Sequence, residues 1–432
     1  MTAEIAIMNK EAIALASDSA VTMIGKADQK IFTSANKLFS LSKYHPVGIM
    51  IYGSAIFMDV PWETIIKVFR NNLSRKKFNT LKEYANAFIG FLDNSNPLFP
   101  DSLQDEYFHG SIHAYFELIK DAITKKVKSI INEKHEITKQ TTKKIVSDII
   151  KGHYEEWEKV DNIPSIPKSF NKNVTENYEK IIAKEIKEVF EELPISKVHS
   201  NQLKKIAGSL FSKFPEGIEK GGISGAVIAG FGEKDIFPSL ESFHLEGIVY
   251  NKLKYKKHIS QKIDFQTTAS LIPFAQSEMV AIFMEGVDPS YRAVEQSYLS
   301  KIFSEYAVII VDNIKGYTVE EKKKLKGKLV GIGKEILKDL GKKLGDYIEK
   351  TYSSPVTTVI SMLPKDELAA MAESLVNLTS FKRKVTLESE TVAGPIDVAV
   401  ISKGDGFIWI KRKHYFKAEL NAQFFANYYK EM

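Results

Sequence analysis

The chain has 432 residues, of which 44% are apolar and 26% charged, enough to bury a full core and too apolar for a disordered chain. On length alone two or three structural units are expected. Lys and Arg outnumber Asp and Glu by 60 to 54, and an excess of +6 is too mild for a dedicated nucleic-acid binder. The absence of cysteine excludes disulfide scaffolds, thiolate zinc sites and cysteine nucleophiles, and fits a reducing cytosol. No run approaches the ~18 apolar residues of a membrane span, and the opening Met1-Thr2-Ala3-Glu4-Ile5 lacks the basic start of a signal peptide. A soluble, cytoplasmic protein with neither a membrane nor a nucleic-acid partner is expected.

In chain order, Ala3 to Met8 and Ala12 to Ala16 are short apolar runs around an Asn9-Lys10 turn signal, which predicts a hairpin. Lys37 to Leu41 and Val47 to Gly53 read as two further strands. The period then changes: Val60, Ile65, Ile66 and Phe69, then Leu81, Tyr84, Ala85 and Phe88, recur at helical spacing. From about 96 to 218 a Lys/Glu-rich helical register follows, with apolar stripes at Ile123, Val127, Ile130 and Ile131 and at Ile181, Ile182, Ile186 and Phe190. Two prolines in the stretch Asp161 to Pro167 break it. Strands return at Gly222 to Gly232 and Ser239 to His244, and a helix is expected from about Phe274 toward Met284. Over 315–350, Leu325, Leu329, Ile332, Ile336, Leu340, Leu344 and Ile348 form one face of a long helix carrying 11 Lys against 6 acids. A helix from Pro364 to Ser380 leads to a last hairpin, Ile396 to Ile401 and Phe407 to Ile410 about a Lys403 to Gly406 turn. Hairpins throughout, with helical blocks between them, imply sheets packed on each other with helices outside rather than a βαβ sheet.

Thr2 is the first residue with possible chemistry. A small residue after the initiator Met permits its removal, and a free threonine amine, with an ordinary pKa of ~7.7–8.0, can act as base for its own hydroxyl. Such a pair needs a cation beside the amine and a carboxylate to orient it. Asp18 ends the second strand, where the hairpin returns it to the chain start, and Lys37 opens the third. By spacing alone, Met-Thr is also a commonplace opening and these two charges fit a surface.

The blocks Thr2, Ala14 to Thr22 (with Asp18), Asn36 to Leu41 (with Lys37) and Gly48 to Gly53 together resemble a proteasome β-type subunit, and equally the bacterial heat-shock peptidase related to it. Both are N-terminal-nucleophile hydrolases. Weaker similarity continues in Val227 to Phe231, Lys365 to Ala372 and Ala393 to Ile401, so that residues 2–95, 221–295 and 364–412 are covered, about half the chain. The resemblance implies an α+β fold, a four-layer αββα sandwich of antiparallel sheets formed by 1–95, 219–295 and 364–432, with large helical insertions at 96–218 and 296–363. It also assigns roles. Thr2 would be the nucleophile, Lys37 would lower the basicity of its amine, Asp18 would pair with Lys37, and the Gly53 N–H would donate to the oxyanion. Thr22 and the strand end through Ala55 would bind an extended peptide by backbone pairing, with Ile51 at the first specificity pocket.

Three departures from the family pattern stand out. Ala20 replaces an arginine and Val392 replaces a serine, while Glu390 stands in for the family's aspartate one place out of register. The last family serine has Ser270 or Ser277 as candidates. Elsewhere, His109, His113 and Glu117 have helical metal-ligand spacing without a visible supporting shell, so surface histidines are expected. Gly331-Ile332-Gly333-Lys334 lacks the flanking residues of a phosphate loop and is expected to be helix. The aromatic tail around Phe424, Phe425, Tyr428 and Tyr429 suits a docked helix.

The expected function is a threonine-type peptidase working without cofactor or metal in a closed homo-oligomeric ring, on peptides or unfolded protein. The insertions have the length and charge for a cap or for docking an ATPase unfoldase. Two alternatives are an inactive proteasome-like scaffold and a small-molecule amidase of the same superfamily.

Overall fold

The computed structural model describes residues 2–24, 29–93, 96–215, 223–386 and 392–430. The chain opens with the hairpin β1 (Ala3–Asn9) and β2 (Ala12–Ser17). Asn9 makes the turn: its Oδ1 accepts the N–H groups of Glu11 (2.9 Å) and Ala12 (3.2 Å), a side-chain mimic of a backbone turn. A small hairpin, β3 (Val21–Ile24) with β4 (Gln29–Phe32), comes next, then β5 (Leu38–Ser40) with β6 (Val47–Gly53). The short pair β7 (Ile56–Phe57) and β8 (Val60–Pro61) leads into α1 (Trp62–Leu73) and α2 (Leu81–Asp93).

Five helices follow: α3 (Asp101–Lys134), α4 (Lys139–Glu158), α5 (Phe170–Asn177), α6 (Glu179–Val189) and α7 (Lys197–Ser209). Then come β9 (Ser224–Gly230), β10 (Ser239–Val249), β11 (Lys252–Lys262) and β12 (Ala269–Ala275). A second helical block holds α8 (Glu278–Glu285), α9 (Pro289–Asn313), α10 (Val319–Ile348) and α11 (Ser354–Ile360). The chain closes with α12 (Lys365–Val385), the hairpin β13 (Asp397–Ser402) and β14 (Gly406–Lys411), and α13 (Ala422–Lys430).

The fold is mixed α and β with antiparallel sheets. One five-stranded sheet runs β12-β1-β2-β13-β14 and the other β11-β10-β9-β6-β5. Alternation along each strand sorts side chains to the two faces. Ala6, Met8, Ile13, Leu15, Ala399 and Ile401 of the first sheet share a core with Met50, Val227, Ala229 and Leu240 of the second. The opposite face of the first sheet (Ile5, Ile7, Ala14, Ala16, Val398) packs on Leu368, Ala372 and Val376 of α12. That of the second (Ile49, Ile51, Ile228, Phe243) packs on Ile65, Ile66 and Phe69 of α1 and Phe88 of α2. Every residue of β1 and β2 is therefore buried, as strands covered on both faces must be.

Two expectations need correction. Phe274 belongs to a strand, β12, and the helix starts only at Glu278. Pro273 fits there because β12 is an edge strand, where a missing N–H breaks no ladder. The strand β11 was not expected at all; its lysines suit the opposite sheet edge, where charge discourages further pairing.

The two helical blocks differ in closure. Helices α3 to α7 surround a core of their own, including Phe108, Phe116, Trp157, Phe190 and Leu203. Helices α9 and α10 form a pair that covers little: Ala307, Val311 and Gly333 are buried, while the expected stripe residues Ile332, Ile336 and Leu344 stay 46–52% exposed. The long helix begins in a capping box, Thr318 with Glu321. Among the described residues no helix is long and apolar enough to cross a membrane.

Candidate functional site

At the start of β1 the sheets bring Thr2, Asp18 and Lys37 together. The β1–β2 hairpin returns Asp18 to the chain start: its N–H donates to the Ala3 carbonyl (3.2 Å), and its Oδ1 accepts the Ala3 N–H (3.1 Å). The same Oδ1 accepts Lys37 Nζ at 2.6 Å, in a pair 4% and 1% exposed. Oδ2 takes the N–H groups of Ala20 (3.0 Å) and Ala393 (3.3 Å). Lys37 is fixed from the other sheet, since its carbonyl accepts the Ile51 N–H of β6 at 2.8 Å. Thr2 is 2% exposed, and its carbonyl accepts the Gln276 N–H at 3.2 Å. Met1 lies outside the described residues.

Sequence reasoning missed Glu4. The Thr2 hydroxyl donates to Glu4 Oε2 at 3.0 Å, and Glu4 Oε1 lies 3.8 Å from Lys37 Nζ. Glu4 is fully buried, and that burial pushes its carboxyl up to about 8, against the pull of Lys37 and the Thr2 hydrogen bond and with a further push from Asp18. The signal in the sequence is an acid inside an otherwise apolar strand.

Cross-strand partners share a face, so register shows what surrounds Glu4. It lies beside Phe274 of β12 and Ser17 of β2, and Ser17 lies beside Asp397 of β13. Across the gap, the Tyr52 ring packs on Phe274 with centroids 5.5 Å apart. Tyr52 lies over Gly225, where a Cβ would come within 1.9 Å of the ring, and His244 is next along the row. Burial and the nearby Glu4 push the Tyr52 phenol well above its ordinary value, and burial with the neighbouring His258 and Lys256 pushes His244 down to about 4. Asp397 is held by the Lys413 backbone and ammonium. Glu4 Oε1, Ser17 Oγ and the Tyr52 hydroxyl are buried with no hydrogen-bond partner among the described residues. The apolar core between the sheets thus ends in a buried polar cluster with three unpartnered side-chain atoms among the described residues.

The other expected residues divide. Gly53 ends β6 at φ +84°, a conformation and a close approach (a Cβ would lie 2.4 Å from the Ile223 carbonyl oxygen) that favour glycine. It directly follows Tyr52, which places it at this end of the sheet. Ile51 is buried beneath α1 with Phe57 and Trp62, on the face of β6 opposite Tyr52. Ala55 is half-buried, its carbonyl accepting the Trp62 N–H at 3.2 Å, and Thr22 pairs with Ile31 in the β3–β4 hairpin. Ser270 is corrected: it pairs with Met8, roughly 20 Å along β1 from Thr2 at ~3.3 Å per residue, too far for proton transfer. Ser277, beside Gln276, is the nearer serine, and it is exposed. Glu390 lies outside the described residues.

Ala20 and Val392 are both buried, and Ala393 after Val392 supplies a backbone donor to Asp18. Arg383 of α12, also missed, donates from Nε to Gln276 Oε1 (2.9 Å) and so steadies the residue that binds the Thr2 carbonyl.

Among the described residues no group of three or more potential ligands could hold a metal. His109 Nε2 and His113 Nδ1 instead meet buried Glu185 at 2.6 and 2.9 Å, while Glu117 pairs with Lys120. Gly333 lies inside α10 with the Phe303 side chain 3.2 Å from where a Cβ would stand, a packing glycine rather than a phosphate loop. A scan against protein-family models gives no match for this chain, and a search of the curated proteins gives none either.

Proposed function

We propose that the chain is a threonine amide hydrolase of the N-terminal-nucleophile kind, folded as a four-layer αββα sandwich and cutting peptides or unfolded protein within a ring of its own copies. One observation carries this reading: Thr2, Asp18 and Lys37 are grouped and buried at one strand end, with Lys37 Nζ 2.6 Å from Asp18. Removal of Met1 would give Thr2 a free amine. The Lys37 charge disfavours protonation of that amine, and Asp18 holds Lys37 in place. The Thr2 oxygen then attacks the substrate carbonyl, the Gly53 N–H donates to the oxyanion, and water releases the acyl group.

A fluorogenic peptide panel on wild type and Thr2→Ala, with intact mass to read the first residue, tests it. Mature chain beginning at Thr2, with hydrolysis abolished in Thr2→Ala, is the expected result. Retained Met1, or equal turnover in both proteins, overturns it. A second reading, the inactive scaffold, draws on the position of Ser270 and on a Thr2 that is 2% exposed; silence of both proteins across the panel would favour it.

A further inference from the structure

We propose that Glu4 is the proton acceptor for the Thr2 hydroxyl, a role the amine would otherwise hold alone; this rests on the reading of Thr2 as nucleophile. The geometry is already that of a nucleophile and its base: the hydroxyl donates to Glu4 Oε2 at 3.0 Å, within proton-transfer reach. The carboxylate is withdrawn from solvent, and its second oxygen, Oε1, has no hydrogen-bond partner among the described residues. A buried acid with one unmet oxygen destabilises a fold by itself, and such arrangements concentrate where chemistry needs them. Asp18 in the same cluster has no spare capacity of that kind, since Lys37 and three backbone N–H groups occupy it.

In the acylation step the Thr2 Oγ1–H bond breaks, its proton passes to Glu4 Oε2, and Oγ1 bonds to the substrate carbonyl carbon. As the C–N bond breaks, Glu4 returns that proton to the leaving nitrogen. Water then attacks the ester, gives its proton to Glu4, and the proton returns to Oγ1 as the acid departs. The net reaction is amide plus water to acid plus amine. Lys37 at 3.8 Å offsets the negative charge on Glu4 and keeps the ionised form attainable. The groups facing Glu4 are Lys37, Asp18, Ser17 and Thr2, with Tyr52 from the opposite sheet, and Tyr52 titrates too high to compete near neutrality. A raised carboxyl suits the role, because a base works best near the ambient pH.

Acylation by a peptide β-lactone, followed by intact mass across pH 6–9, reads this step without a natural substrate. Wild type should label once, at Thr2, with a rate that rises through a single inflection. Glu4→Gln should label about 100-fold slower, with any remaining inflection that of the Thr2 amine alone, and Glu4→Asp should recover part of the rate. If Glu4→Gln labels within about threefold of wild type on the same pH profile, the role of Glu4 is overturned while Thr2 stands. If Thr2→Ala labels as wild type does, or wild type does not label at all, both fall. Should Glu4→Gln fail to fold, the wild-type profile decides with Glu4→Asp: no inflection in wild type, or undiminished labelling of Glu4→Asp, overturns the proposal.

Discussion

Glu185 in the helical block and Glu4 at the strand end are both withdrawn from water, and the two regions treat their carboxylates in opposite ways. Glu185, 1% exposed, has a histidine on each oxygen, both supplied one turn apart by α3. Glu4 has a hydroxyl on one oxygen and, among the described residues, no hydrogen-bond partner on the other, and its cation stands off at 3.8 Å. A carboxylate with both oxygens met acts as a joint between helices. One left half-met keeps capacity for a proton, and the fold carries that as a destabilising group.

The contrast is tested hardest at Lys37. Replacing it by Met leaves Asp18 and Glu4 buried together without their cation, so a loss of about 3–5 kcal/mol in urea unfolding is expected. A loss below about 1 kcal/mol would mean that water reaches the cluster and that burial is not its governing feature.

Glu4→Gln should act in the opposite direction. The carboxyl has its ordinary value of 4.5 when unfolded and about 8 when folded, so between these the folded chain binds more protons than the unfolded one. Its contribution to stability therefore falls as pH rises from 4.5 to 8, and levels off above that. Glu4→Gln should match wild type near pH 4.5 and exceed it by a few kcal/mol above pH 8, each unit between the two values being about 1.4 kcal/mol. Thermal melts at both pH values check this, and a variant no more stable at pH 8.5 would show that Lys37 fully offsets the burial.

Glu185→Ala is the smallest of the three. It removes two hydrogen bonds, each worth about 1 kcal/mol net because both histidines are half exposed, an expected loss of about 2 kcal/mol. His109 and His113 are about half exposed and return to water, so neither is stranded. A loss as large as that of Lys37→Met would erase the distinction between the two regions.

Much of the mixed α and β fold could be read from the chain. Short hairpins carry their own punctuation, as at Asn9-Lys10, and a hairpin necessarily returns Asp18 to the neighbourhood of Thr2. Register is harder: Ser270 stands on the right strand and at its wrong end, because nothing local says which end of β12 meets Thr2. The period of 315–350 predicts a helix but not its burial, which depends on how many helices gather around it; one partner leaves Ile332 and Ile336 in solvent. Glu185 and its histidines lie more than seventy positions apart, beyond any local pattern. Glu4 leaves one trace, an acid inside an apolar strand, and the trace is ambiguous. A single acid in a strand reads as an outward-facing residue until both faces of that strand are known to be covered.

Gly225 bears on all of this through what it lacks. The only reason a phenol ring can lie flat across β9 and reach Phe274 in the other sheet is that the strand beneath it carries hydrogen in place of a methyl. An added carbon there would displace the Tyr52 ring and open the cluster around Glu4 to water, so a residue with no side chain at all helps to keep a carboxylate dry.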